Sequence, residues 1–252
     1  MTKTLFKSLY RRGALLALSL LMLSTCGGAA FADTPTAPRY LTSAQLSALQ
    51  AVLPPPSAAG SAEDRADRDV TERAFATHAA DEFAQAQAEE KFDVFDFASV
   101  LGPDFSAAKL PLLAALFKQV KHDTSAAVDV SKNHWRRLRP CPAASECAGD
   151  PNWLAKKSFG YPSGHSTRAT VDALLLAQLF PQQADALLAQ AYAIGWRRVV
   201  LGVHTPQDIQ AGRVYGQALS KVLLAEPAFR QQLAAVAQEL KTAGIRGAAY
   251  QP

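Results

Sequence analysis

The stretch PSGHSTRATVDALLLAQLF, residues 162–180, decides the fold class. After its Pro-Ser-Gly-His opening, Thr167 to Phe180 is rich in Ala and Leu and reads as a helix, which Pro181 stops. The same period recurs outward from it. Toward the C-terminus, Ala184, Leu187, Leu188, Ala191 and Ile194 repeat at helical spacing within a helix from Gln182 to about Val200, and Gly202 breaks it. Thr205-Pro206-Gln207-Asp208 then opens another helix, with Thr205 as N-cap, Pro206 first and Asp208 third. A last helix covers roughly Pro227 to Thr242. Toward the N-terminus, residues 141–161 read as loop, and Val128 to Leu138 as a helix ended by Arg139-Pro140, because a residue before proline avoids helical geometry. Leu110, Leu113, Phe117 and Val120 form one apolar stripe, and Phe75, Ala79, Phe83 and Ala86 another, with Gly102-Pro103 between them. Ser61 opens the first of these segments as a capping residue. No strand pattern persists. The expected fold is all-α, a helical bundle with its functional site formed by loops and helix ends.

Residues 1–32 are read as a secretory signal peptide. Lys3, Lys7, Arg11 and Arg12 form a basic region, residues 14–23 an apolar one too short to span a bilayer, and Ala30-Phe31-Ala32 a cleavage site. A lipoprotein box ending at Cys26 and a twin-arginine signal at Arg11-Arg12 are alternative readings that fit their surroundings less well. Residues 33–60, rich in Pro, Ala and Ser, read as an N-terminal arm with one short helix from Ser43 to Val52, and 61–252 as the helical domain. The whole chain carries a net charge of +4, all of it in the leader, so the mature chain has no basic excess to suggest a nucleic-acid partner. No mature apolar run reaches about 18 residues, so no transmembrane segment is expected there. Cys141 and Cys147 are expected to pair if the protein is exported, with free thiols the alternative; no second ligand pair stands near them for a metal site.

Three segments concentrate reactive side chains: Lys132 to Pro140, Pro162 to His165, and Arg198 to Asp208. A phosphoryl group in transfer spreads charge over three oxygens and needs cations and donors around it. Lys132 and Arg139 are seven residues apart, nearly two helical turns, and could share a face. Arg198 adds a third cation. Ser163 and the amides of Gly164 and His165 sit at a helix start, which offers free N–H groups to an anion. One of the two histidines can attack phosphorus as a neutral ring while the other gives a proton to the leaving group. Asp208, four residues after His204, could fix its tautomer.

The pattern K-x6-RP, PSGH and R-x5-H-x3-D over residues 132–208 resembles the type-2 phosphatidic acid phosphatase superfamily, and most of all its soluble bacterial class A nonspecific acid phosphatases. The resemblance implies a periplasmic or secreted, cofactor-free and metal-independent phosphatase of small phosphate monoesters. It implies His204 as nucleophile, Asp208 as its partner, His165 as acid and then base, and Lys132, Arg139, Ser163, Gly164 and Arg198 as the phosphate cradle. It also suggests self-association into a homo-oligomer. Arg197 departs from the family's serine, which puts one hydroxyl contact in doubt.

Alternative readings stand beside these. A vanadium-dependent haloperoxidase, a lipid-phosphate phosphatase or a non-catalytic phosphate-binding protein could use the same pocket. Asp208 could serve only as a helix N-terminal acid. Arg136 and Arg137 read as a solvated basic face, and His78, His122 and His134 as structural or exposed. Trp135 and Tyr161 read equally well as pocket mouth or as packing.

Overall fold

A computed structural model describes residues 39–145, 147, 158–245 and 247–249. The leader expected over 1–32 and much of the 141–161 loop lie outside the described residues. Among the described residues nine α-helices follow in order: α1 (Ser43–Gln50), α2 (Ala62–Ala76), α3 (Ala80–Ala88), α4 (Ala98–Leu101), α5 (Pro111–Trp135), α6 (Gly164–Leu179), α7 (Ala184–Val200), α8 (Pro206–Ala225) and α9 (Pro227–Thr242). Short 3-10 turns occupy Glu89–Lys91, Val94–Phe97 and Pro181–Gln183. The described residues contain no strand, as the periodicity requires.

The helix quoted first is the centre of the bundle. Ala169, Val171, Ala173, Leu175, Leu176 and Leu179 are wholly buried and lie all round α6, the signature of a helix surrounded by others. It packs chiefly on α7 and α8. Gly212 and Gly216 allow α8 to approach α6 backbone to backbone: a Cβ at these positions would stand 2.8 Å from the Ser163 carbonyl and 2.7 Å from that of Thr167. Ser166 fixes the same seam by donating from its hydroxyl to the Ile209 carbonyl at 2.8 Å. Tyr215 reaches across to donate to the Ala127 carbonyl of α5 at 2.9 Å.

Three expectations change. Leu110 to Val120 and Val128 to Leu138 belong to one helix, α5, which runs 25 residues and stops at Trp135. Arg136 caps it in the left-handed conformation at φ 50°, so the chain turns four residues before Pro140. The stripe from Phe75 to Ala86 is broken between α2 and α3; His78 stacks on Phe83 at 4.2 Å there. The arm is folded onto the core from Arg39 onward. Tyr40, Leu41, Leu49 and Leu53 are buried, and the backbone N–H groups of Arg39 and Tyr40 donate to the buried Asp123 carboxylate. Among the described residues no helix is long and apolar enough to cross a membrane.

Candidate active site

His204 stands in the turn between α7 and α8. Gly202 permits that turn: its φ is +68°, and a Cβ there would strike Pro142 at 2.7 Å. The backbone N–H groups of Val203 and His204 both reach the Arg198 carbonyl at the end of α7. The ring is buried. Its Nδ1 donates to Asp208 Oδ2 at 3.2 Å, and its Nε2 faces Arg139 Nη1 at 3.0 Å. That pairing makes Nδ1 the protonated nitrogen and leaves the lone pair on Nε2. Burial first, and then the charges of Arg139, Lys132 and Arg198, push the imidazole well below its ordinary value, so the ring is neutral.

Asp208 combines the two roles that competed for it in the sequence. It closes the capping box of α8, with its Oδ2 accepting the Thr205 N–H at 3.0 Å and the Thr205 hydroxyl accepting the Asp208 N–H. The same Oδ2 holds His204. Burial pushes the Asp208 carboxyl up, while Arg137 and the Thr205 N–H pull it back.

Arg137 is the largest departure from the expected solvated face. It is buried, and its fork holds three carboxylates. Nη1 donates to Asp208 Oδ1 and the Thr205 hydroxyl, each at 3.0 Å, and Nη2 to Asp64 Oδ1 at 2.9 Å and Asp67 Oδ2 at 3.0 Å. Arg136, by contrast, is exposed, as expected. The turn at Arg136 causes the difference. It takes the following residues off the helix, so helical periodicity no longer says which of them face outward.

The cations converge from three elements. Lys132 is buried near the end of α5, and Arg139 lies in the irregular segment beyond it rather than on the same helix. Both nonetheless donate to the Ser158 hydroxyl, Lys132 Nζ at 3.1 Å and Arg139 Nη2 at 3.2 Å. Arg139 also donates to the Val203 and Ser158 carbonyls. Arg198 is buried at the end of α7, with its Nε and Nη1 unpartnered among the described residues. Burial and mutual repulsion push Lys132 down to about 7 and Arg139 down to about 10. Such crowding of positive charge is the mark of a site built for an anion.

Ser163 and Gly164 form the start of α6. Ser163 is its buried N-cap and accepts the Ser166 N–H. Gly164 and His165 line a cavity of about 250 Å³ together with Lys132, Phe92, Val128 and Arg168. His165 Nε2 lies 3.3 Å from the Glu90 carbonyl. Burial, then Arg198, push this ring down to about 3, with the Glu90 carbonyl working the other way. Cys141 and Cys147 are joined in a disulfide. Its loop packs over the Gly202 turn and is tied to α2, where Glu72 accepts the Ala143 N–H. Among the described residues no group of three or more His, Cys, Asp or Glu side chains could hold a metal ion.

Residues 111–231 match the PAP2 superfamily, and this span contains the three reactive segments. The chain carries a PAP2 superfamily domain. An acid phosphatase of Zymomonas mobilis is 31% identical over 159 residues, 62% of this chain and 60% of its own length. A non-specific acid phosphatase of Salmonella typhi is 29% identical over 201 residues, 76% of this chain and 79% of its own. A decaprenylphosphoryl-5-phosphoribose phosphatase of Mycolicibacterium smegmatis is 41% identical over 88 residues, 34% of this chain and 45% of its own. The chain thus spans three fifths of the Zymomonas relative and about four fifths of the Salmonella one.

The PAP2 domain does not complete its site alone. Asp64 and Asp67 on α2, and Glu89 and Glu90 in the turn after α3, precede the matched span and contact its residues. Ser158 and this N-terminal shell carry no mark in the sequence, and Arg137 reads there only as part of a solvated face. Ser158 falls in a loop without periodicity, and the acids are ordinary members of polar helix faces. Only their long-range partners distinguish them.

Proposed function

We propose that the protein is an exported, metal-independent acid phosphatase that hydrolyses phosphate monoesters through a phospho-histidine. One observation carries the reading: a buried neutral imidazole, tethered through Nδ1 to Asp208, turns its unprotonated Nε2 into a cluster of Lys132, Arg139 and Arg198. The names of the Zymomonas and Salmonella relatives support the activity, and the basic-apolar leader with its Ala-Phe-Ala site supports export to the periplasm.

The reaction follows from the arrangement. Substrate oxygens take over the N–H groups of Arg139, Lys132 and Arg198, with the amides at the start of α6 completing the cradle. Arg139 then no longer donates to His204, and the Nε2 lone pair forms a bond to phosphorus. The ester P–O bond breaks, and its electron pair leaves on the substrate oxygen, which takes a proton from His165. The bound dianion offsets the cations around His165 and so favours the protonated ring. Asp208 stabilises the positive charge that develops on His204. A water then gives a proton to His165 and attacks phosphorus, and the N–P bond returns its pair to Nε2.

The test is turnover of p-nitrophenyl phosphate by the periplasmic fraction. Activity is expected to survive EDTA and to be inhibited by vanadate, a mimic of the phosphoryl group in transit. Loss of turnover on chelation would overturn the metal-independent reading. Halide oxidation by peroxide once vanadate is bound would favour a haloperoxidase.

Lys132 gives this activity a pH dependence. Its ammonium, held to about 7, binds phosphate only while protonated. The KM for p-nitrophenyl phosphate is therefore expected to rise as pH increases through about 7. Lys132→Arg keeps its charge across this range, so its KM should lack that rise. A wild-type KM that stays flat from pH 5 to 9 would remove Lys132 from the cradle.

A further inference from the structure

Arg197 stands where the resembled family has a serine, and it does not face the phosphate cradle. Its guanidinium is buried and forks onto the buried carboxylate of Glu89, with Nε to Oε2 at 2.7 Å and Nη2 to Oε1 at 2.5 Å. The two partners are 8% and 7% exposed. Each is the chain neighbour of a group in the site. Arg198 follows Arg197 on α7, and Glu90, whose carbonyl meets His165 Nε2, follows Glu89 in the 3-10 turn. On the other side of that turn, Arg168 donates to the Phe92 carbonyl. The turn is thus pinned at residues 89 and 92, and the carbonyl on His165 lies between the pins.

A buried ion pair adds little net stability over an apolar pair of similar volume, because desolvation offsets the attraction. What it supplies is a fixed geometry. We propose that the Arg197–Glu89 pair is a positioning device for the leaving-group acid, holding the Glu90 carbonyl against His165 so that the ring keeps its orientation and its proton beside Arg198. The inference rests on His165 serving as the acid in the proposed reaction. Burial first, and then Arg198, Arg168 and Arg139, oppose a charge on His165, while the Glu90 carbonyl accepts its N–H and favours that charge. If the turn is released, the nearby cations remain and the carbonyl is lost. The proton for the leaving oxygen then becomes harder to hold.

The consequence depends on the leaving group. p-Nitrophenolate departs without a proton, whereas an alkoxide must receive one as the P–O bond breaks. Arg197→Ser and Glu89→Gln should therefore lower kcat/KM for ethyl phosphate by about tenfold or more, a fraction of what general acids contribute. With p-nitrophenyl phosphate the loss should stay within about threefold, since that ester draws on none of the contribution. Arg197→Lys should recover part of the alkyl ester rate by keeping the charge without the fork. Equal losses on both esters would mean general loosening and would overturn the proposal, as would no loss on either. If Arg197→Ser does not fold, Glu89→Gln, which keeps the volume and removes the charge, decides alone. Wild-type protein that turns over neither ester refutes the phosphatase reading itself, and the positioning role with it.

Discussion

His204→Ala is expected to lower kcat on p-nitrophenyl phosphate by about 10,000-fold or more, the scale seen when a covalent nucleophile is removed. The size of the effect comes from the position of the ring. Its Nε2 carries a nucleophilic lone pair held inside the cation cluster, and its other nitrogen is committed to Asp208. Alanine removes the atom that would carry the phosphoryl group, and the cations alone can only bind the substrate. The KM should accordingly change little while kcat collapses. Wild-type protein quenched during turnover should carry an acid-labile, base-stable phosphate, as an N–P bond requires, and the variant should carry none. A variant that retains more than about a hundredth of the wild-type rate would sink the assignment, because only general acid–base help contributes on that smaller scale.

Arg137→Leu is expected to destabilise the fold by about 3–5 kcal/mol, the cost of removing one member of a buried charge network. The side chain is 6% exposed and bridges Asp64, Asp67 and Asp208, which come from two different helices. Leucine fills the volume but leaves the three carboxylates facing one another without their shared cation. Arg137→Lys should recover less than half of the loss, since a single ammonium cannot form the fork that spans α2 and α8. Denaturant midpoints measured at pH 7 provide the check, and a Leu variant within about 1 kcal/mol of wild type would refute the network's importance. The pH dependence has a definite sign. Although burial opposes it, the Gly60 N–H, Arg137 and Arg68 together hold Asp64 down to about 2 from 3.8. That contribution is complete above 3.8 and is lost as pH falls toward 2, so the gap between wild type and variant should narrow in acid. Activity should fall too, because Asp208 loses the partner of its second oxygen.

Several features of the site lie within one turn of chain and so are visible without a fold. Thr205, Pro206 and Asp208 define a helix start by their types and order, and the spacing of His204 and Asp208 is the helical i,i+4 contact that brings Nδ1 to Oδ2. The helix after Pro162-Ser163-Gly164-His165 is legible for the same reason, since its Ala and Leu content states both conformation and burial. Other features could not be read this way. The expectation that Lys132 and Arg139 share a helical face fails because α5 ends at Trp135, yet the two still meet at Ser158, through the fold of a loop.

The sequence by itself determined the all-α class, the order of the helices in the second half of the chain, and the three segments that carry the candidate site. Those are local properties, fixed by period, capping chemistry and residue type. Only the tertiary structure decided that Arg137 is buried while Arg136 is not, that Ser158 joins the cations, and that Arg197 pairs with Glu89 rather than facing the cradle. Each of these depends on a contact across 19 to 108 residues. A charged side chain carries no local mark of whether its partner will be water or a carboxylate brought to it by another helix.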